Sequence, residues 1–221
     1  MIEHQVDQGS QAWLQLRLGI PTASEFDKVL TPKTMKLSAQ ARGYAHRLVA
    51  ETLLGYPVED LSNLKWIERG VELEPQAVRS YEFDTDLQTR KVGFITSDDG
   101  MIGASPDRLL VGANGAVELK CPAPGTHIGY LIDGFGSDYI VQVQGQMLVG
   151  GFDFIDRYSF HPDLPPHRER TGRDEVMIKA LSDALDQFNE MRLAMLAKAR
   201  ATGFFAKPAD DFADIFDEKA A

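Results

Sequence analysis

Residues 105–122 constrain this chain more than any other stretch. Ser105-Pro106-Asp107 leads into Arg108-Leu109-Leu110, then a Gly/Asn turn, then Val117-Glu118-Leu119-Lys120-Cys121-Pro122. Asn114-Gly115 between two strand-like runs predicts a β-hairpin. With the loop centred near Ala113, Asp107 falls opposite Leu119, with Glu118 and Lys120 as its nearest neighbours across the ladder. Strand side chains alternate, so Glu118 and Lys120 share one face, while Val117, Leu119 and Cys121 share an apolar, core-forming face. Opposed and diagonal side chains lie roughly 5–8 Å apart at Cβ. Two carboxylates at that separation repel unless a cation lies between them. An oxygen-rich site with few carboxylates suits Mg²⁺ or Mn²⁺. A lysine beside such an ion can orient or deprotonate a water, or stabilise charge developing on a phosphate. An isolated E-x-K is usually a surface network; the upstream Pro-Asp, the hairpin and the apolar alternate face favour a metal site here.

The remaining composition sets bounds. With 221 residues, 43% hydrophobic and 25% charged, the chain is expected to form one α/β domain with a substantial core. Without an apolar run long enough to span a bilayer or a secretory signal at Met1–Gln5, no membrane association and a cytoplasmic location are expected. One cysteine excludes an internal disulfide framework and a structural zinc cluster. The net charge of −10 opposes nucleic-acid binding. Part of it, however, sits in an acidic tail at about residues 205–221, so a basic path can still exist locally.

In chain order, Ser10 to Leu18 reads as a short helix stopped by Gly19, and Thr22 or Ser24 as the N-cap of a helix from Glu25 to Leu30. An Arg just before a helix N-terminus makes an anion clamp, although local sequence alone favours a capping hydroxyl with a solvated Arg17. Residues 31–38 read as a polar loop, and Ala39–Leu54 as a helix ending at Gly55, with Arg42, His46 and Arg47 on a solvated face. Trp66–Phe83 has helical spacing, with Pro75 assigned near its first turn. Glu72 and Glu74 there can each lend a carboxylate to the hairpin or act as helix-dipole acids. Val92–Thr96 and Met101–Ala104 read as strands that join the hairpin in one antiparallel meander. His127 reads as a surface-loop residue ahead of a short helix to Asp133. Tyr139–Val149 reads as a helix, Phe152–Phe160 as a strand, and His161–Arg170 as a loop. Arg173–Arg200 reads as a long helix with Val176, Ala180, Leu181, Leu185, Phe188, Met191 and Met195 as its apolar stripe. Together these predict helices flanking a central mixed sheet.

The residues above resemble a known family. Ser105-Pro106-Asp107 with Glu118-Leu119-Lys120-Cys121-Pro122 looks like the signature of PD-(D/E)XK nucleases, and so implies a restriction-endonuclease-like core. The resemblance extends over nearly the whole chain to the phage lambda-type alkaline exonucleases and their YqaJ-like viral recombinase relatives. Trp13 and Arg17-Leu18-Gly19 with Thr22-Ala23-Ser24-Glu25 match the N-terminal motif of that family. Gly70, Glu74 and Ala77 match its helix-borne glutamate motif, and Gln142-Val143-Gln144 its late glutamine motif. The resemblance implies a 5′-to-3′ exonuclease that digests one strand of linear double-stranded DNA to 5′-mononucleotides, leaving 3′ single-stranded tails for recombination by strand annealing. It implies Asp107, Glu118, Glu74 and the Leu119 carbonyl as ligands of two Mg²⁺ ions, with Mn²⁺ substituting. It further implies Lys120 as the catalytic lysine and Gln142 as the active-site glutamine. Arg17 and Ser24 are implied to hold the terminal 5′-phosphate, which reverses the local reading of Arg17. A homotrimeric ring around DNA and a single-strand annealing partner are also implied. Two other readings compete: a different nuclease on the same core, such as an endonuclease or single-strand exonuclease, and a non-catalytic DNA-end-binding scaffold.

Overall fold

The computed structural model describes residues 1–58 and 64–203, with the backbone alone for 64–71; the acidic tail lies outside the described residues. The elements run β1 (Ile2–His4), α1 (Gln11–Arg17), a 3₁₀ helix (Ala23–Lys28), β2 (Leu30–Thr31), β3 (Lys36–Leu37), α2 (Ala41–Leu54), α3 (Leu64–Thr85), β4 (Thr89–Arg90), β5 (Phe94–Thr96) and β6 (Gly103–Ala104). There follow β7 (Arg108–Leu110), β8 (Gly115–Lys120), α4 (Pro124–Asp133), α5 (Ile140–Gly150), β9 (Phe154–His161), β10 (Leu164–Gly172) and α6 (Glu175–Arg200).

The central sheet has the order β10-β9-β8-β7-β4. β8 and β9 pair in parallel, and the other neighbours are antiparallel. The sheet is therefore mixed, with helices on both faces. Central β8 is covered on both sides, which is why its sequence is mostly apolar. Leu109, Ala116 and Ile155 face a large core with Phe26, Leu48, Val143, Met147, Leu181 and Phe188. Leu110, Val117, Leu119 and Tyr158 face Ala77 and Tyr81 of α3. Among the described residues no helix is long and apolar enough to cross a membrane.

Helix ends follow local chemistry. Ser10 caps α1 through Trp13 N–H, Asp174 caps α6 through the amides of Val176 and Met177, and Gly55 closes α2 in the left-handed conformation.

Several expectations are corrected. The hairpin pairs Arg108 with Val117 and Leu109 with Ala116, so Asp107, just before β7, falls across from Glu118, one residue from the expected register. The loop is tied down from outside the hairpin: Asn114 Nδ2 donates to Gly151 O, and Asp153 N donates to Asn114 O. This pulls Asn114 out of the turn centre. The expected meander is also divided. β5 and β6 join β1 in a separate three-stranded sheet, because Pro106 has no amide hydrogen with which to continue the ladder. The stretch read as a loop at 161–170 is largely β10, an edge strand whose register shifts between Leu164 and His167, where Pro165 and Pro166 are tolerated. The helix expected at 25–30 is the 3₁₀ turn at 23–28, and the loop at 31–38 holds the small β2–β3 pair. Pro75 lies inside α3 rather than in its first turn; Ala77 and Tyr81 anchor the following turns in the core. Val176 is exposed, since the stripe of α6 begins at Met177.

Gly145 shows how tightly α5 is seated. A Cβ there would lie 2.4 Å from the ring of Phe26, which is completely buried. Gly145→Ala gains about 1 kcal/mol of helix propensity, but overpacking a tight core costs about 1–3 kcal/mol. The substitution is expected to lower the Tm by a few degrees in a thermal melt. A higher Tm would mean that α5 is not packed against Phe26 as described.

Candidate active site

The site is built where β8, the turn before β7, and α5 meet. Asp107 lies in that turn, and its Oδ2 accepts the Leu119 amide at 2.6 Å. Leu119 itself points into the α3 core, so its backbone alone faces Asp107. Glu118 points to the other face and is buried. Its Oε1 accepts Lys120 Nζ and Gln142 Nε2, each at 2.7 Å, and its Oε2 accepts Gln146 Nε2 at 2.6 Å. The ring of Tyr139 lies over Lys120 Nζ, 4.2 Å from the centroid.

The electrostatics are unbalanced toward negative charge. Burial pushes the Asp107 carboxyl well above the usual carboxylate range; Glu118 adds repulsion and Glu74 a little more, against Lys120 and the Leu119 amide. Burial opposes a charge on Lys120, but the carboxylates of Glu118 and Asp107 outweigh it and hold the ammonium above its ordinary pKa. Glu74 is half-buried and acts on Asp107 from α3, whereas Glu72 is exposed. Among the described residues, no group of three or more His, Cys, Asp or Glu side chains is arranged to hold a metal ion. The donor set is two opposed carboxylates, one of them poorly compensated, with Glu74 nearby. That set fits a hard cation that keeps several of its own waters.

α5 supplies the amides. Gln142 and Gln146 are one helical turn apart, so both reach the same carboxylate. Gln144 lies on the other side and ties α5 to the chain before α6, through Gly172 O and the Asp174 amide. Gln146 was absent from the expected site, although its i, i+4 spacing from Gln142 places it on the same face.

Two further supports were not legible in the sequence. Arg157 is in register with Glu118 on β9 and is buried. It donates to the carbonyls of Gly136 and Asp138 and to Glu169 Oε2, which fixes the loop leading to Tyr139. Tyr139 enters α5 in the left-handed conformation (φ 60°), which that bracing maintains. His127 is fully buried rather than in a surface loop. Its Nε2 donates to Pro165 O at 2.9 Å, and its Nδ1 accepts from Ser159 Oγ at 2.7 Å, pinning α4 to β9 and β10.

The two residues expected to form an anion clamp lie together, joined by a third. Arg17 Nη2 donates to Thr22 Oγ1 at 3.3 Å, and Thr22 Oγ1 is 3.3 Å from Ser24 Oγ. The Arg17 guanidinium lies 4.1 Å from the centroid of the Trp13 ring, and Trp13 Nε1 donates to Ser105 Oγ at 2.9 Å. Trp13 therefore connects the clamp to the turn that carries Asp107. A cavity of about 40 Å³ adjoins it, lined by Arg17, Thr22, Tyr44 and Arg47 among others. Burial alone would raise the Glu25 carboxyl in this wall, but hydrogen bonds from Lys28 and Arg47 hold it below its ordinary value.

Comparison with known proteins bears on the family and the fold. The family model of the YqaJ-like viral recombinase domain matches residues 12–153. An alkaline exonuclease (LHK-Exo) from Laribacter hongkongensis is similar at 29% identity and a TM-score of 0.78, covering 88% of this chain and 98% of that one. The structure of LHK-Exo in complex with dAMP is similar at 30% identity, with the same TM-score and coverage. A phage-related exonuclease from Haemophilus somnus 129PT shares the fold at 17% identity and a TM-score of 0.64, covering 81% of this chain and 96% of that one. No curated protein matches.

The Asp107 shift has a consequence for stability. Its folded pKa lies above the unfolded value of about 3.9, so the carboxyl contributes stability at low pH that is lost as the pH rises through the folded pKa. Without divalent cations, Asp107→Asn is expected to raise the Tm at pH 7.5, and the gain should vanish near pH 4. Melting curves at both pH values check this; a neutral-pH Tm below wild type would contradict the repulsion.

Proposed function

Because the chain belongs to the YqaJ-like viral recombinase family, we propose that it is a nuclease that digests one strand of linear duplex DNA from the 5′ end. On this reading it releases 5′-mononucleotides and leaves 3′ single-stranded tails for recombination by strand annealing. The observation that carries the reading is the coupling of two sites. A carboxylate–lysine centre at Asp107, Glu118 and Lys120 is joined through Ser105 and Trp13 to a cationic, hydroxyl-lined clamp at Arg17, Thr22 and Ser24. An anion held in the clamp would set which phosphodiester reaches the carboxylates, and this would give the digestion its direction. The similar alkaline exonuclease has been solved with dAMP, a mononucleotide, which supports that product class here.

The chain's own residues have distinct tasks in this scheme. Asp107 and Glu118, with Glu74 and the Leu119 carbonyl, would hold two Mg²⁺ ions, and Mn²⁺ would substitute. When bound, such ions supply stabilisation of the attacking and departing oxygens of an in-line displacement. Lys120, an ammonium beside both carboxylates, donates hydrogen bonds that orient a water or the non-bridging phosphate oxygen. Gln142 fixes the Glu118 oxygen that Lys120 also holds. Arg17 and Ser24 bind the terminal 5′-phosphate with charge-assisted hydrogen bonds. A water oxygen bonds to the phosphorus as the bond to the terminal nucleotide's 3′-oxygen breaks; the attacked phosphate stays on the shortened strand as its new 5′-phosphate, and the released nucleotide leaves with a 3′-hydroxyl and the 5′-phosphate it already carried.

The net charge of −10 is unevenly distributed. Residues 28–50 carry Lys28, Lys33, Lys36, Arg42 and Arg47 with no Asp or Glu; Lys28 and Arg47 pair with Glu25, and Lys33, Lys36 and Arg42 add positive charge to the same segment. A homotrimeric ring would need positive charge only along its bore. That assembly, and a single-strand annealing partner, accompany the proposal on the family resemblance.

The test is digestion of linear duplexes bearing 5′-phosphate or 5′-hydroxyl, alongside closed circles, in Mg²⁺. Nucleotide release from phosphorylated ends is expected, with circles intact. Asp107→Ala should slow release by about a thousandfold or more, equivalent to losing about 4 kcal/mol of transition-state stabilisation. Arg17→Ala should narrow the preference for 5′-phosphate over 5′-hydroxyl. Equal cutting of circles would reject the exonuclease reading.

A further inference from the structure

Glu118 is held at both ends, and the holder of its second oxygen has no place in the scheme above. Lys120 and Gln142 share Oε1, whereas Oε2 takes its hydrogen bond from Gln146. Gln146 is 1% exposed, lies on the same face of α5 as Gln142, and is one turn further on. With both oxygens engaged, the carboxylate cannot rotate without breaking a short hydrogen bond.

We infer that Gln146 is a positioning residue for cation binding: it sets the orientation in which Glu118 meets a divalent metal while leaving the carboxylate's charge intact. This rests on the reading of Asp107 and Glu118 as a metal-dependent centre. The residue type is what the task requires. A buried carboxylate oxygen needs a donor. Lysine or arginine would provide one, but would also cancel the negative charge that draws a cation. An apolar residue would leave Oε2 without a donor and free the carboxylate to turn toward Lys120. A neutral amide fixes the oxygen and preserves the charge. Metal-binding side chains are oriented by such hydrogen bonds as a rule.

A second observation separates this from packing. Gln146 Oε1 is buried and has no hydrogen-bond partner among the described residues. A buried carbonyl left unpaired is destabilising, and the flanking positions Val143 and Met147 show that apolar side chains suit this surface of α5. The amide at 146 is therefore retained for its N–H donor, against the interest of packing. Gln144 is the contrast. It is equally buried on the same helix, yet both ends of its amide are satisfied by backbone groups. It ties elements together and does not touch the site.

The experiment titrates the full-length protein with Mn²⁺ by calorimetry in the absence of DNA, and follows Mg²⁺-dependent nucleotide release and thermal melting. Gln146→Met is expected to weaken Mn²⁺ binding about 10–100-fold and to raise the half-saturating Mg²⁺ by a similar factor. KM for 5′-phosphorylated duplex at saturating metal should stay within about twofold of wild type. Gln144→Met should lower the Tm and leave Mn²⁺ affinity unchanged. Gln146→Asn, which keeps the amide one methylene short, should weaken Mn²⁺ binding in the same direction and serves if the Met variant does not fold. Wild-type Mn²⁺ affinity in a folded Gln146 variant, whatever its Tm, overturns the inference alone. A wild-type protein that binds no Mn²⁺ and releases no nucleotide overturns the metal-dependent reading itself.

Discussion

The buried carboxylate of Glu118 is the constraint on which the rest of the structure depends. An ionised carboxylate away from water persists only when donors satisfy it. Here one donor comes from its own strand and two from α5. That requirement sets the position of α5 against the sheet. The same helix presents Gly145 to Phe26, and Phe26 belongs to the 3₁₀ turn that Thr22 begins. A continuous line of packed groups therefore runs from the carboxylate to Ser24. Close-packed interiors transmit such constraints because no neighbour has room to yield.

A second line joins the same two places by another route. Thr22 forms an isolated bridge with Gly103, and the Gly103 amide donates to Pro21 O. Gly103 admits no side chain, since a Cβ would lie 2.1 Å from the Phe94 ring. Two residues on, Ser105 accepts from Trp13, whose ring carries the Arg17 guanidinium. Two routes of contact therefore join Arg17, Thr22 and Ser24 to the carboxylates. On the proposed function rigidity between them would matter, because misplacing a reacting group by about 1 Å can cost about a hundredfold in rate.

The treatment of buried acids differs across the sheet. Asp156 is fully buried on β9, yet Arg170 meets it with two hydrogen bonds and Tyr81 with a third. Its charge is neutralised where it arises, as suits a group serving the fold. Among the described residues, Asp107 is met by the Leu119 amide and a share of Lys120, with Glu118 opposing it. Asp107 of the candidate site is thus less compensated than Asp156. Such local conflict is where a fold gives up stability for function.

Short-range pattern determined much of this protein from sequence alone. Alternation assigned Glu118 and Lys120 to one face of β8 and Leu119 to the other; helical spacing located α2, α3, α5 and α6, and glycines marked where α1 and α2 end. Those signals are legible because periods of 2 and 3.6 residues and capping are properties of neighbours in the chain. The motif resemblance named Asp107, Glu118, Lys120 and Gln142, and the structure brings all four together. Only the tertiary structure decided what each face meets. The hairpin register shifted by one residue because Asn114 is held by Gly151 and Asp153, groups outside the hairpin. His127 left the surface because Ser159 and Pro165 close over it, and β10 formed on prolines because an edge strand tolerates missing donors. Gln146 and Arg157 joined the site through partners about twenty to forty residues away in the chain, at separations where local periodicity carries no information. Pattern tells a side chain which way to point, and packing alone settles what it finds there.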